Sequence, residues 1–179
     1  TAREGIVISR MVWDARLYRD PATNEYLPNL ATSYNWVDSK TLEFDLRKGV
    51  TFHNGEKFDA DDVVYTLTYI SNPENGAKPA RNVNWWDSAE KLGDYKVRLN
   101  LTKEFPAALE FLSGPIVMYP NEYYAEVGPE GMAMKPVGTG PYAVTSVEPG
   151  KRYKFKKNDS YHASSPKGLA NIGNIVIRT

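Results

Sequence analysis

Residues 41–63 read TLEFDLRKGVTFHNGEKFDADDV, and a strand signal, a turn signal and a helix signal follow one another within them. From Leu42 to Leu46, apolar residues alternate with charged or polar ones, which predicts a β-strand with one buried face. The Asn54-Gly55 pair predicts a tight turn, because glycine adopts the positive φ that such turns require. We therefore expect a strand that turns sharply before the chain enters a helix.

The helix is predicted to begin after Asp59, whose carboxylate can accept hydrogen bonds from free backbone N–H groups as an N-cap. Asp61 and Asp62 then fall in the first turn, where the helix dipole favours negative charge. Apolar residues at helical spacing continue to Ile70, and Asn72-Pro73 ends the helix. We interpret the aspartates as caps, because their spacing lacks the glycine and distal glutamate of a calcium-binding EF-hand loop.

Further elements are predicted on the C-terminal side. Alternation from Tyr95 to Leu101 and an apolar run from Ile172 to Ile177 predict two more strands. Short helices are expected with Pro106 at the first helical position and near Tyr119. Because strands and helices do not alternate strictly, we predict a mixed α/β (α+β) fold.

Composition excludes several classes of function. The 22 basic residues balance the 22 acidic ones, so the chain lacks the positive excess typical of nucleic-acid-binding proteins. Five basic residues occur in 151–157, but aromatic residues alternate with them, which favours a solvated strand face over a phosphate-binding surface. The absence of cysteine excludes a disulfide framework, a thiolate metal site and a cysteine nucleophile. The sequence has no apolar run of the roughly 18 residues that a membrane-spanning helix needs.

Catalytic and metal-binding motifs are also missing. The two histidines, His53 and His162, lack metal-ligand spacing, and no G-x-S-x-G nucleophile motif occurs. Gly138-Thr139-Gly140 lacks the third glycine of a dinucleotide fingerprint and the lysine of a Walker loop. We therefore expect no metal, no cofactor and no enzymatic activity.

Several segments in fixed order carry a resemblance to a known family. They are LPNLATSY (27–34), TLEFDLRKGVTF (41–52), HNGEKFDADDV (53–63), VGTGPY (137–142) and KNDSY (157–161). Together they resemble the extracellular solute-binding proteins of family 5, the oligopeptide-, dipeptide- and nickel-binding components of ABC importers. One segment departs from the family pattern: WDAR (13–16) stands where the family commonly shows Tyr-Glu-Gly-Leu, so Arg16 replaces an apolar residue.

The resemblance implies a periplasmic-binding-protein-like lobe, in which a mixed β-sheet has flanking helices and an inserted smaller subdomain. Residues 1–35 and 136–179 would form the main sheet subdomain, and residues 36–135 the inserted one. The abrupt start at Thr1 and the strand-like end favour part of one lobe of a two-lobed protein, with the second lobe absent.

The resemblance also implies a function. We expect the substrate-binding component of an ABC transporter, which captures a small solute, with a peptide as the first choice, and delivers it to the transmembrane permease. The protein would be a periplasmic or lipid-anchored monomer that meets the membrane only through the transporter or a lipid anchor. A ligand-sensing module of a transcriptional regulator remains an alternative, as does a binder of a nickel chelate, opine or oligosaccharide.

Candidate ligand contacts follow from residue chemistry. Arg10 could pair with a ligand carboxylate through two hydrogen bonds. Adjacent strand residues face opposite ways, so one ring of Trp85 and Trp86 is expected to face the cleft, and Tyr119 would form a wall. Ser113 lies at a helix end, where backbone groups are left free for a ligand. The predicted ligand-binding residues are Arg10, Trp13, Trp85, Trp86, Ser113, Gly114 and Tyr119.

Overall fold

The computed structural model describes residues 2–76 and 82–178, with side chains described from residue 5 onward. Residues 1, 77–81 and 179 lie outside the described part of the chain. The helices are α1 (Ala2–Val12), α2 (Ala60–Ser71), α3 (Ala108–Leu112) and α4 (Asn121–Met134), and a 3₁₀ turn spans Pro73–Asn75. The strands are β1 (Leu17–Arg19), β2 (Tyr26–Pro28), β3 (Ala31–Asp38), β4 (Thr41–Leu46), β5 (Trp86–Gly93), β6 (Lys96–Leu101), β7 (Tyr142–Glu148), β8 (Arg152–Lys157) and β9 (Asn174–Arg178).

The strands form three sheets. β1 and β2 pair with each other, β3-β4-β6-β5 form a four-stranded sheet, and β7-β8-β9 form a three-stranded sheet. The predicted mixed α/β class and lobe fold are confirmed, but the prediction of a mixed sheet is wrong for the described strands, because all of their pairings are antiparallel. Short turns join most neighbouring strands, and such turns force antiparallel pairing.

The four-stranded sheet confirms the alternation found in the sequence. Phe44 pairs with Val97 and Leu42 with Leu99, and all four side chains are buried beneath the sheet. α2 packs against β5 and β6 and closes this core. The same hydrophobic cluster continues without a break from Leu17 to Val137. The predicted boundaries between main and inserted subdomains stay a prediction.

Helix α2 begins as the sequence predicts. The Asp59 carboxylate accepts a hydrogen bond from Asp61 N at 2.8 Å, and Asp62 accepts one from Asp59 N at 2.9 Å, which completes a capping box. Asp62 also accepts from Asn121 N at 2.9 Å and so holds the start of α4. Burial raises the pKa of Asp62 to about 7, despite the opposing effect of these N–H donors.

Of the two other predicted helices, the first is shifted and the second begins where the sequence predicts. Pro106 was expected at the first helical position, but α3 begins at Ala108 and its N-cap is Ala107. α4 starts next to Pro120 and is kinked where Gly128 adopts a φ of 64° ahead of Pro129. The sequence reasoning did not predict α1, whose described exposed face includes the apolar residues Ile6 and Val7.

The His53 turn and the Gly138–Gly140 turn bind each other directly. His53 N donates to Gly138 O at 2.8 Å, and His53 Nδ1 accepts from Gly138 N at 3.3 Å. Nδ1 is therefore unprotonated, and Nε2 donates to Gly140 O at 2.9 Å. A β-carbon on Gly138 would lie 2.1 Å from Val12 O, so only glycine fits between this turn and the end of α1.

Because His53 is neutral in the folded chain, we expect the stability of the fold to depend on pH. Burial lowers the pKa of His53 below the usual 6.5. Below pH 6.5 the unfolded chain therefore binds a proton that the folded chain resists, and the free energy of unfolding falls as the pH falls. We expect a His53→Gln variant to lose less stability than the wild type between about pH 6.5 and pH 5 in urea titrations. The other histidine, His162, is present in both proteins, so its contribution cancels in the comparison. Parallel pH profiles of the free energy of unfolding would contradict the prediction.

Arg16 is a buried cation without an acidic partner in the described part of the chain. Its side chain is 0% exposed, and Nη1 contacts Met118 Sδ at 3.3 Å. Nε and Nη2 have no protein hydrogen-bond partner there. Desolvation lowers the pKa of Arg16 to about 9, which shows how poorly the site solvates the charge. The departure from the family pattern in the sequence therefore falls on an energetically costly position.

We expect Arg16→Leu to stabilise the chain by about 1–3 kcal/mol, because removing the guanidinium eliminates a desolvation cost that outweighs the cavity left by the shorter leucine. The measurement is the free energy of unfolding in urea at neutral pH. Arg47→Leu is the matched control: Arg47 Nε donates to Asn29 O at 2.7 Å, so its removal should cost about 1 kcal/mol. A loss of stability in Arg16→Leu equal to the control would show that the guanidinium is compensated.

Candidate functional site

A cleft of about 320 Å³ lies between the C-terminal end of α1, strand β1 and the segment that follows α3. Arg10 and Trp13 line it on one side, and Ser113 and Gly114 line it on the other. These four predicted ligand-contacting residues therefore meet in one place. The Gly138 turn packs closely against the backbone of the buried residue Val12, and this contact fixes the position of the C-terminal end of α1.

Trp13 is held rigidly in the wall of the cleft. Its Nε1 donates to Val137 O at 2.8 Å, and its ring packs edge-on against Tyr119 with 6.1 Å between ring centroids. Tyr119 does not line the cleft; it lies behind Trp13, and its own ring contacts Tyr124 at 4.9 Å. Tyr119 therefore supports the predicted aromatic wall from behind.

Trp85 and Trp86 lie in the hydrophobic core instead of the cleft. They are 2% and 3% exposed, and Trp85 stacks on Phe105 with ring centroids 4.7 Å apart. The two tryptophan rings also contact each other edge-on at 4.7 Å. The expectation that one of them faces the cleft is corrected by this placement: Trp85 precedes β5, so strand alternation does not separate the two rings.

Lys167 forms the base of the α1 wall. Its ammonium donates to Arg10 O at 2.7 Å and to Trp13 O at 2.8 Å, which satisfies carbonyls at the end of α1. The same nitrogen lies 2.7 Å from Asp14 Oδ1, and this carboxylate is 0% exposed. All three ammonium donors therefore have partners, so Lys167 positions the wall and has none left for a ligand.

Asp14 is the centre of a buried polar network. Thr139 Oγ1 donates to Asp14 Oδ2 at 3.0 Å, and Tyr161 Oη lies 3.1 Å from Asp14 Oδ1. The Tyr161 hydroxyl also approaches Ser165 Oγ at 2.6 Å. Burial, and then the charge of Asp14, raises the pKa of Tyr161, so the phenol stays protonated and can donate.

The opposite end of the cleft carries an exposed ion pair. Arg19 Nη1 lies 2.6 Å from Glu110 Oε2, and the Tyr26 hydroxyl donates to the same oxygen at 3.2 Å. This pair ties β1 to α3. Glu110 is engaged by Arg19 and Tyr26, and Arg10 also lines the cleft.

Among the described side chains of residues 5–76 and 82–178, no group of three or more His, Cys, Asp and Glu residues is placed to hold a metal ion. In the same ranges, no helix combines the length and the apolar character needed to span a bilayer.

Residues 25–179 match the family model described as Bacterial extracellular solute-binding proteins, family 5 Middle. The chain belongs to this family. The resemblance found in the sequence is thereby confirmed.

Relatives of known name and structure agree with this assignment. Di/tripeptide-binding protein 3 of Pseudomonas aeruginosa is 30% identical over 158 residues, which cover 75% of this chain and 30% of that protein. The periplasmic binding protein DppA from Helicobacter pylori, solved with the peptide STSA, is 26% identical with a TM-score of 0.85; the match covers 100% of this chain and 39% of that one. NikZ from Campylobacter jejuni, solved with Ni(L-His), is 28% identical with a TM-score of 0.83, over 94% and 34% of the two chains. This chain therefore spans about 30% of the length of the curated relatives it matches first.

Sequence reasoning missed Lys167 and Asp14, although both determine the shape of the family 5 cleft. Lys167 and Trp13 are 154 positions apart, and no local pattern connects them. One signal was present: Asp14 directly follows the apolar run Met11-Val12-Trp13, where an uncompensated charge would be costly. That signal predicts a partner for Asp14 without identifying it.

We expect Lys167→Met to lower the free energy of unfolding by about 3–5 kcal/mol, because it leaves a buried carboxylate without its cation. Lys157→Met is the matched control: Lys157 pairs with Asp159 at 3.2 Å, but both side chains are exposed, so its loss should cost at most about 1 kcal/mol. Urea denaturation of both variants gives the comparison. Equal effects in the two variants would show that the Asp14 pair contributes no more than a surface pair.

Proposed function

We propose that this chain forms one ligand-contacting lobe of the substrate-binding component of an ABC transporter, and that it captures a small solute outside the cytoplasmic membrane. The observation that carries the proposal is the convergence of Arg10, Trp13, Ser113 and Gly114 on a single cleft. A cationic group, a fixed aromatic ring and a helix end provide the few oriented contacts that small-molecule sites use. Family membership supports this role over catalysis.

A carboxylate-bearing solute fits the cleft best, with a peptide as the first choice. Arg10 lines the cleft, and a guanidinium can bind a carboxylate through two hydrogen bonds. Trp13 offers a flat, partly apolar ring for a side chain or peptide plane. Relatives named for di- and tripeptides favour a peptide. Structures holding Ni(L-His) or mannopinic acid keep a nickel chelate or an opine as alternatives.

The proposed mechanism is closure of two lobes around the ligand. Ligand contacts to a second lobe would stabilise the closed state, and the closed monomer would then dock on the permease from the periplasmic side. The described cleft supplies the contacts of one lobe, so we expect this chain alone to bind its ligand weakly. The Lys167–Asp14 pair keeps the lobe's wall fixed during closure.

The experiment is calorimetry with the two-lobed protein that this proposal implies. We expect Arg10→Ala to weaken binding of a tripeptide by about 10- to 100-fold, because a charge-assisted contact to the C-terminal carboxylate is lost. The C-terminally amidated tripeptide should bind the wild type and the variant with nearly equal affinity.

Arg98→Ala serves as the control, since Arg98 pairs with Glu43 at 2.7 Å on the four-stranded sheet, outside the cleft lining. Equal losses in the two variants would contradict the assignment of Arg10. Binding of a nickel–histidine chelate or an opine without any binding of peptides would replace the peptide as the ligand.

A further inference from the structure

The three-stranded sheet has one apolar face and one basic face. Phe155 is 1% exposed and stacks beside Tyr153 on the inner face. The intervening residues Lys154 and Lys156 point to the opposite side, where both are exposed. Arg152 lies on this outer side too, and the register places Arg178 of β9 directly opposite it. We define the basic face as Arg152, Lys154, Lys156 and Arg178.

This face is positively charged although the chain as a whole has a formal net charge of +0. The positive charge is therefore concentrated locally. Arg152 pairs with Glu148 at 2.6 Å, and Glu148 is the carboxylate that the register of β7 puts on this side. Arg152 and Arg178 are cross-strand neighbours of like charge, an arrangement that weakens a sheet. An external anionic surface would relieve that repulsion.

The sequence pattern alone favoured a solvated strand face here, but the register adds Arg178 beside Arg152, and we propose that the basic face binds the anionic headgroups of a phospholipid membrane. Flexible lysine and arginine side chains project from a flat strand surface, which suits a layer of mobile headgroups. A specific protein partner would need buried aromatic anchors, and none of the cross-strand neighbours of these cations is aromatic: they are Glu148, Ser146 and Ala143 on β7, and Asn174 and Val176 on β9. Val176 is 53% exposed and lies opposite Lys154, so it provides an exposed apolar contact among the cations.

The arrangement also separates this contact from ligand binding. None of the basic-face residues lines the cleft, whose walls come from α1, β1 and the segment after α3. The membrane contact therefore requires neither a bound solute nor a transporter. It would add a weak, reversible attachment whose strength depends on ionic strength.

The test is co-sedimentation of the chain with lipid vesicles. We expect binding to vesicles of equal parts phosphatidylglycerol and phosphatidylcholine at about 0.02 M salt, and loss of binding near 0.5 M. Vesicles of phosphatidylcholine alone should not bind. A Lys154→Glu/Lys156→Glu variant should bind the anionic vesicles at least about tenfold more weakly, since each cation contributes separately at the surface.

The matched control is Lys40→Glu/Lys103→Glu, which changes the net charge equally at exposed positions outside this sheet. It should retain most of the wild-type binding. The Lys154→Gln/Lys156→Gln variant removes the two charges without adding negative ones, in case the glutamates disturb the fold. Its urea midpoint should equal that of the wild type, and it should also bind anionic vesicles more weakly. The proposal is overturned if the wild type ignores anionic vesicles, if both charge-reversal variants lose binding equally, or if the face binds an acidic protein surface but no vesicles.

Discussion

The buried ion pair between Lys167 and Asp14 is the interaction on which the shape of the cleft depends. It joins the end of α1 to a loop near the C-terminal end of the chain, and its ammonium also satisfies two carbonyls of the α1 end. A buried pair of this kind is stable only when its remaining hydrogen bonds are made. Thr139 and Tyr161 provide them for the carboxylate. The position of Trp13 in the cleft wall therefore rests on segments that are far apart in sequence.

The family motifs serve this arrangement as scaffold. His53 binds the backbone of Gly138 and Gly140, and the close approach of that turn to Val12 O sets where α1 ends. Asn29 of the first motif lines the cleft, whereas His53, Gly138 and Gly140 do not. These last three residues hold the backbone, so they can identify the family and still leave its ligand open.

Local patterns predicted the parts of the fold that depend on nearby residues. The Asp59 cap and the alternation in β4 were correct because each signal lies within a few positions of the structure it determines. The same reasoning predicted Arg10 and Ser113 as ligand contacts; both line the cleft, and their contact with a ligand stays a prediction. It did not succeed with Trp85 and Trp86, because their burial depends on Phe105 and on where β5 begins. Lys167 was missed for the same reason, since its partners lie at the other end of the chain.

The hairpin of β7 and β8 links the two surfaces of this lobe. Its inner side buries Phe155, and its outer side carries the basic face. Beyond β8 the chain leads directly to Tyr161 and Lys167, which hold Asp14 and the α1 wall. Buried contacts of Tyr161 and Lys167 with Asp14 thus couple the segment after β8 to the α1 wall. Contact of the outer side with a charged surface would therefore also orient the opening of the cleft relative to that surface.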